Sequence, residues 1–192
     1  FPFKVSNNRN SLLAPAVDGT LRVLNAGLNA NIEQFIVTSS IAAMFRKPIR
    51  SNPYSFDEND WTDENWKEGV NDYFLSKTKA EKAAWKLMES KGLKNKLTMI
   101  NPGGVFGDAL DKKGGTSIEY VRQFMKGKFP AAPKWGILIS DVKDVAKAHV
   151  ACIGNTKVGG RRLIVGKEVK RLVELSQLIA EAMPEYAKKL PR

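Results

Sequence analysis

Two periods of apolar residues alternate along the chain, and their alternation predicts its elements. Between residues 12 and 30, Leu13, Val17, Leu21, Leu24 and Leu28 recur at helical spacing, with Pro15 tolerated in a first turn. The run QFIVTSS that follows is short, rich in Phe, Ile and Val, and ends in hydroxyls, the pattern of a buried strand opening into a polar loop. From Phe45 to Asn71 both periods disappear, and the turn and cap signals SNPYS, DENDW and DENW predict an irregular excursion.

Helical spacing returns in YFLSKTKAEKAAWKLMESKG, residues 73–92, with Gly92 as its stop. KLTMINPGGVFG then predicts a second buried strand, broken at Pro102 and two glycines. Further on, TSIEYVRQFMKGK predicts a helix opened by a capping box of Thr116 and Glu119. WGILIS and RRLIVG predict strands, whereas DVKDVAKAHVACI and LVELSQLIAEAM predict helices, the last ending before Pro184. Strands alternating with helices predict an α/β domain with a mainly parallel sheet, one domain over residues 1–192.

Ligands of such sheets bind where the strands end in loops, because the loops carry the polar groups. That rule directs attention to Thr38–Ser40 and to Asn101–Val105. The formal net charge of +11 comes from Lys and Arg spread over many segments, with no compact basic tract carrying interleaved aromatics. A solvated basic surface is expected, with no nucleic-acid partner, and the charge suits an anionic cofactor. No apolar run reaches the ~18 residues of a membrane span. The single cysteine, Cys152, forms no internal disulfide and no metal cluster, so a reducing, cytoplasmic setting without a metal site is expected. Cys152 reads as a small buried hydrophobe and His149 as a structural or surface residue.

Candidate chemistry centres on NDYFLSK, residues 71–77, in which Tyr73 and Lys77 stand four positions apart and so share one face of a helix. A phenol beside an ammonium is a proton donor usable near neutral pH. A hydroxyl at a strand end, Ser40, followed by Tyr-x-x-x-Lys, resembles the extended short-chain dehydrogenase/reductases of the NAD-dependent epimerase/dehydratase superfamily. VTSSIAA, YFLSKTKAEKAAW, NPGGVFG and DVKDVAKAHV match in order over nearly the whole chain. The wording is similar to the dihydroflavonol-reductase-like and aldehyde or ketone reductase branch. Ala16 before VDGT, within PAV, favours that branch over sugar epimerases.

The resemblance implies a Rossmann-like parallel sheet with flanking helices, comprising the C-terminal portion of the fold and its small substrate-binding part, with substrate elements around 104–140 and 160–192. It implies NADPH-dependent reduction of a small-molecule aldehyde or ketone, NADP(H) being favoured over NAD(H). Tyr73 is then the proton donor, Ser40 polarises the substrate oxygen, and Lys77 lowers the phenol pKa from about 10 and binds the nicotinamide ribose. Thr38 and Ser39 become cofactor-wall residues. Pro102, Gly103, Gly104 and Val105 lie along the nicotinamide side, where glycines permit close approach, and Ser117 contacts cofactor at a helix start. Phe3, Met44, Phe106 and Trp135 offer an apolar substrate wall. Asp141 and Asp144 read as helix-start residues and Gly107 as a turn glycine.

Other readings of the same triad are a nucleotide-sugar epimerase or dehydratase, a hydroxysteroid-type dehydrogenase, or a non-catalytic dinucleotide-binding relative. Homodimerisation through residues 12–30 and 73–92 is implied by analogy. The Gly-x-x-Gly-x-x-Gly turn that cradles the pyrophosphate in this superfamily has no match in residues 1–192. The opening FPF resembles the loop after the family's fourth strand. The expectation is therefore a chain without the N-terminal Gly-rich half, binding cofactor weakly or not at all by itself.

Overall fold

The computed structural model describes residues 10–49, 54–110, 115–129, 131 and 136–191. They group into two compact units: a first unit of residues up to Pro102 with Ala146–Val165, and a second of Gly103–Val145 with Gly166–Arg192. Among the described residues no helix is long and apolar enough to cross a membrane.

The first unit is built on a parallel three-stranded sheet in the order β1-β2-β5, from β1 (Phe35–Thr38), β2 (Leu97–Pro102) and β5 (Arg162–Val165). Thr38 pairs with Ile100, and the Ser39 amide continues the ladder by donating to the Ile100 carbonyl at 2.7 Å. Every residue of β2 is buried, so its sequence is mainly apolar without alternation, and its two polar residues, Thr98 and Asn101, are hydrogen-bonded inside. Helices α1 (Asn10–Asn29) and α2 (Asp72–Ser90) pack together. Leu24 of α1, Ala84, Trp85 and Met88 of α2, and Phe35, Leu97 and Met99 of the sheet form one core. Pro15 sits inside α1 rather than in its first turn, and the helix forgoes one backbone bond there.

Both ends of α2 are set by local chemistry. Asn71 accepts the Phe74 amide at 3.0 Å as the N-cap, and Asp72 adds negative charge to the first turn. At the other end Gly92 adopts a left-handed conformation, φ 69°. The amides of Gly92 and Leu93 then donate to the carbonyls of Glu89 and Met88, closing the helix in a Schellman motif.

The second unit holds β3 (Gly104–Phe106), β4 (Gly136–Asp141) and β6 (Glu168–Arg171), with β3 parallel and β6 antiparallel to β4. The single strand read in KLTMINPGGVFG is two strands in two sheets. Pro102 has no amide hydrogen to continue a ladder, and the Gly103 amide donates to Ser140 Oγ at 2.8 Å. β6 has no counterpart in the sequence reading because EVKR carries no apolar run. Helices α3 (Thr116–Met125) and α5 (Leu172–Ala182) bring Phe124 and Leu172 into a core with Leu190. The Thr116 capping box does not form: the N-cap is Gly115, so Thr116 is the first helical residue and Glu119 accepts from the Arg122 and Gln123 side chains instead. Helix α4 (Val142–Cys152) begins where Asp141 accepts the Lys143 amide at 2.7 Å.

Candidate active site

Ser40 owes its position to the abrupt end of β1. Its backbone is still extended, φ −166° and ψ 153°, and its hydroxyl oxygen accepts the Ala42 amide at 3.1 Å, capping a 3-10 turn over Ile41–Ala43. Ala42 and Ala43 are 2% and 0% exposed, so the small residues after the serine are a packing requirement. The Ser40 hydroxyl lies close enough to the Tyr73 phenol to favour its ionised form, joining the first turn of α2 to the strand end 33 residues earlier. Lys77 follows one helical turn along the same face. The first unit thus brings together the three residues read from sequence as catalytic.

Their electrostatics differ from the sequence expectation in one respect. The Tyr73 phenol is pushed above its ordinary value by burial, which outweighs the opposing influence of Ser40. It remains a phenol, a proton donor, throughout the neutral range. Lys77 is pulled below its ordinary value, again by burial, with the carboxylate of Glu81 working in the other direction. Desolvation of each group is the larger effect, and adjacency in sequence does not reveal it.

The surrounding residues are accounted for as follows. Thr38 Oγ1 lies 2.7 Å from His149 Nε2, giving that histidine a partner at the strand end. The Ser39 hydroxyl donates to Glu81. Met44 is 1% exposed and has no surface to offer a ligand. Pro102 closes β2 within the first unit. Gly103, Gly104, Val105, Phe106 and Ser117 belong to the second unit. There Val105, Phe106 and Ser117 line one concavity of about 480 Å³ with Gly107, Thr116 and Val142.

A Cβ at Gly103 would stand 2.1 Å from the Leu138 carbonyl oxygen, and one at Gly104 2.6 Å from Ile137 Cδ1. Packing against the β4 backbone therefore demands glycine at 103, while at 104 it is the end of the Ile137 side chain that would have to move; the sequence reading assigned both glycines to cofactor approach. Gly107 has φ 137° and Val142 beside it, a turn glycine as expected. Phe3 and Trp135 lie outside the described residues. Cys152 is buried, and burial raises its thiol, as suits a small core residue.

Glu81 and Arg162 were not singled out by sequence reasoning, although with Asn101, at the strand end to which the sheet rule pointed, they surround the site residues. Glu81 accepts from Arg162 Nε at 2.5 Å and from Asn101 Nδ2 at 2.9 Å, and Asn101 Nδ2 also donates to the Ser40 carbonyl at 3.1 Å. The available signals were an acid one turn beyond Lys77 and an arginine in the otherwise apolar strand of RRLIVG.

A strand-end serine and a Tyr-x-x-x-Lys helix thus stand together on a parallel sheet flanked by helices, the arrangement of an α/β protein. The model of the NAD dependent epimerase/dehydratase family matches residues 4–166, and the chain belongs to that family. It is 31% identical over 183 residues to cinnamoyl-CoA reductase 1 of Arabidopsis thaliana, covering 95% of this chain and 52% of that protein. It is also 31% identical over 210 residues to the NADPH-dependent methylglyoxal reductase of Saccharomyces cerevisiae, covering 100% of this chain and 60% of that one. Among solved structures, yeast methylglyoxal/isovaleraldehyde reductase complexed with NADPH superposes with a TM-score of 0.84 at 29% identity, over 100% of this chain and 60% of that one. Vestitone reductase from alfalfa superposes with a TM-score of 0.71 at 28% identity, over 92% of this chain and 57% of that one. The chain thus spans between about half and three-fifths of the length of these relatives.

Proposed function

We propose that the protein reduces an aldehyde or ketone to the alcohol with NADPH. The observation that carries this reading is the proximity of the Ser40 hydroxyl to the Tyr73 phenol, with Lys77 one turn further along the same helix face. Hydroxyl, phenol and ammonium are three donors held close together, a set that fits a ligand presenting a carbonyl oxygen and ribose hydroxyls. When bound, the nicotinamide supplies the hydride. As negative charge develops on the carbonyl oxygen, the Tyr73 phenol gives up its proton to it and the Ser40 hydroxyl donates a second hydrogen bond. Burial keeps Tyr73 protonated until that moment. Lys77 offers its ammonium to the ribose and to the phenolate left behind.

NADPH is favoured over NADH because the similar methylglyoxal reductases of Saccharomyces cerevisiae and Candida albicans carry it in their names. The same reading carries a homodimer through α1 and α2, where Val23 of α1 is 71% exposed, and a cytoplasmic setting for an enzyme with one buried cysteine. The test is NADPH oxidation at saturating cofactor with aromatic aldehydes and ketoesters. Tyr73→Phe is expected to lower the rate by about 10²- to 10⁴-fold with the fold intact by circular dichroism. Equal rates in the two proteins would overturn the proposal.

A further inference from the structure

The carboxylate of Glu81 is 0% exposed, and four donors converge on it. Its Oε2 accepts from the Ser39 hydroxyl and from Asn101 Nδ2 at 2.9 Å, while Oε1 accepts from Arg162 Nε at 2.5 Å and from Trp85 Nε1 at 3.3 Å. Arg162 is itself buried and spends its other nitrogens on backbone carbonyls: Nη1 donates to Asp60 and Glu58, and Nη2 reaches that of Ala43 at 3.5 Å. Its guanidinium lies 3.7 Å over the Trp61 ring. Replacing a buried pair of this kind by apolar groups is often neutral or stabilising, so stability alone does not explain it.

Its connections lead to the site. Asn101 holds the Ser40 carbonyl at 3.1 Å, Glu81 itself holds the hydroxyl of the preceding residue, Ser39, and Arg162 reaches the last residue of the turn that Ser40 caps. Glu81 is also four residues beyond Lys77 on α2, on its face of the helix. We propose that Glu81, tied to Arg162, is a positioning residue of the Ser40, Tyr73 and Lys77 centre: through Asn101 it fixes Ser40, and it supplies the counter-charge for Lys77.

On α1 the charged groups Asp18 and Arg22 are exposed, while the Ile41–Ala43 turn and β2 contain none. Glu64 of the preceding loop engages Lys79 and Lys82 instead. Tyr73, on the same helix, stays neutral because burial raises its phenol. Burial draws Lys77 towards the neutral amine, and Glu81 is the charge that opposes it.

The role rests on the reductase reading, but its test does not require turnover. Lysine side-chain NMR of the 192-residue chain, with the Lys77 signal assigned by its loss in Lys77→Arg, reads the ammonium directly. Glu81→Gln is expected to lower the Lys77 pKa by about half a unit or more. An unchanged Lys77 titration in folded Glu81→Gln overturns the proposal. Asn101→Leu provides the second arm: with the Ser40 carbonyl released, the influence of Ser40 on Tyr73 weakens and the phenol titrates at higher pH, whereas an unmoved Tyr73 overturns it. Should both variants fail to fold, the unmodified chain decides, since Lys77 must be an ammonium at neutral pH and a neutral amine there overturns the role. Equal rates of NADPH oxidation in the unmodified protein and Tyr73→Phe would sink the reductase reading separately.

Discussion

The Ser40 hydroxyl favours the ionised form of Tyr73 and so partly offsets the upward pull of burial on the phenol. Ser40→Ala removes that influence together with the hydrogen bond from the Ala42 amide. The Tyr73 phenol is then expected to titrate at higher pH, measured by ultraviolet difference spectroscopy. The chain loses about 1 kcal/mol of stability in denaturant titration, and carbonyl reduction falls because the substrate oxygen has lost a donor.

In the proposed reductase the alkaline limit of activity is expected to belong to Lys77. The proposed reaction uses the ammonium of Lys77 and the phenol of Tyr73, each present below its own pKa. Burial draws the first down from its ordinary value of 10.5 and pushes the second up from 10.0, and the expected order is loss of the ammonium first as pH rises. A pH profile of kcat/KM should fall through the Lys77 value. In Lys77→Arg, slower overall but permanently cationic, the limb should move up to the Tyr73 value. An identical limb in both proteins would assign it to another group.

Acid stability should reflect Asp60. Burial raises its carboxyl, but the hydrogen bonds from Lys47, Tyr54 and the Asp57 amide outweigh that and hold it below its ordinary value. A carboxyl depressed in the folded state contributes stability above its unfolded pKa of about 3.9 and loses it as pH falls through the folded value. The stability difference between the chain and Asp60→Asn is therefore expected to be largest near neutrality and to vanish in strong acid, as read from urea titrations across that range.

Two glycines provide a matched pair. Gly103→Ala puts a methyl 2.1 Å from the Leu138 carbonyl oxygen, a backbone atom with no rotamer to move, whereas Gly115→Ala meets nothing within 4 Å. The first should cost about 1–3 kcal/mol and the second less than about 0.5 kcal/mol by thermal melting. Comparable melting temperatures for the two variants would mean that β3 and β4 separate readily.

Much of the site was legible because its signals are local. Tyr73 and Lys77 share a face by helical geometry, and Ser40 stands where an apolar run ends in hydroxyls. Asp141 at the start of α4 and the Gly92 stop of α2 are equally short-range. Glu81 and Arg162 escaped notice because they are 81 residues apart, and an acid in a Lys-rich helix ordinarily faces water. The raised phenol of Tyr73 escaped for the same reason: proximity to Lys77 is written in the spacing, but dehydration is not.

Periodicity alone determined the helices α1 to α5 and most of the strands, since each depends on which face of a local repeat is apolar. Tertiary structure decided what those repeats cannot specify. It divided KLTMINPGGVFG between two sheets, because Gly103 turns its amide to Ser140 and packs its bare Cα against Leu138. It made a strand of the polar EVKR by giving it β4 as a partner. Around the candidate site it buried a carboxylate among four donors and withdrew water from Tyr73 and Lys77, and the resulting protonation states depend on solvent exclusion by residues far apart in the chain.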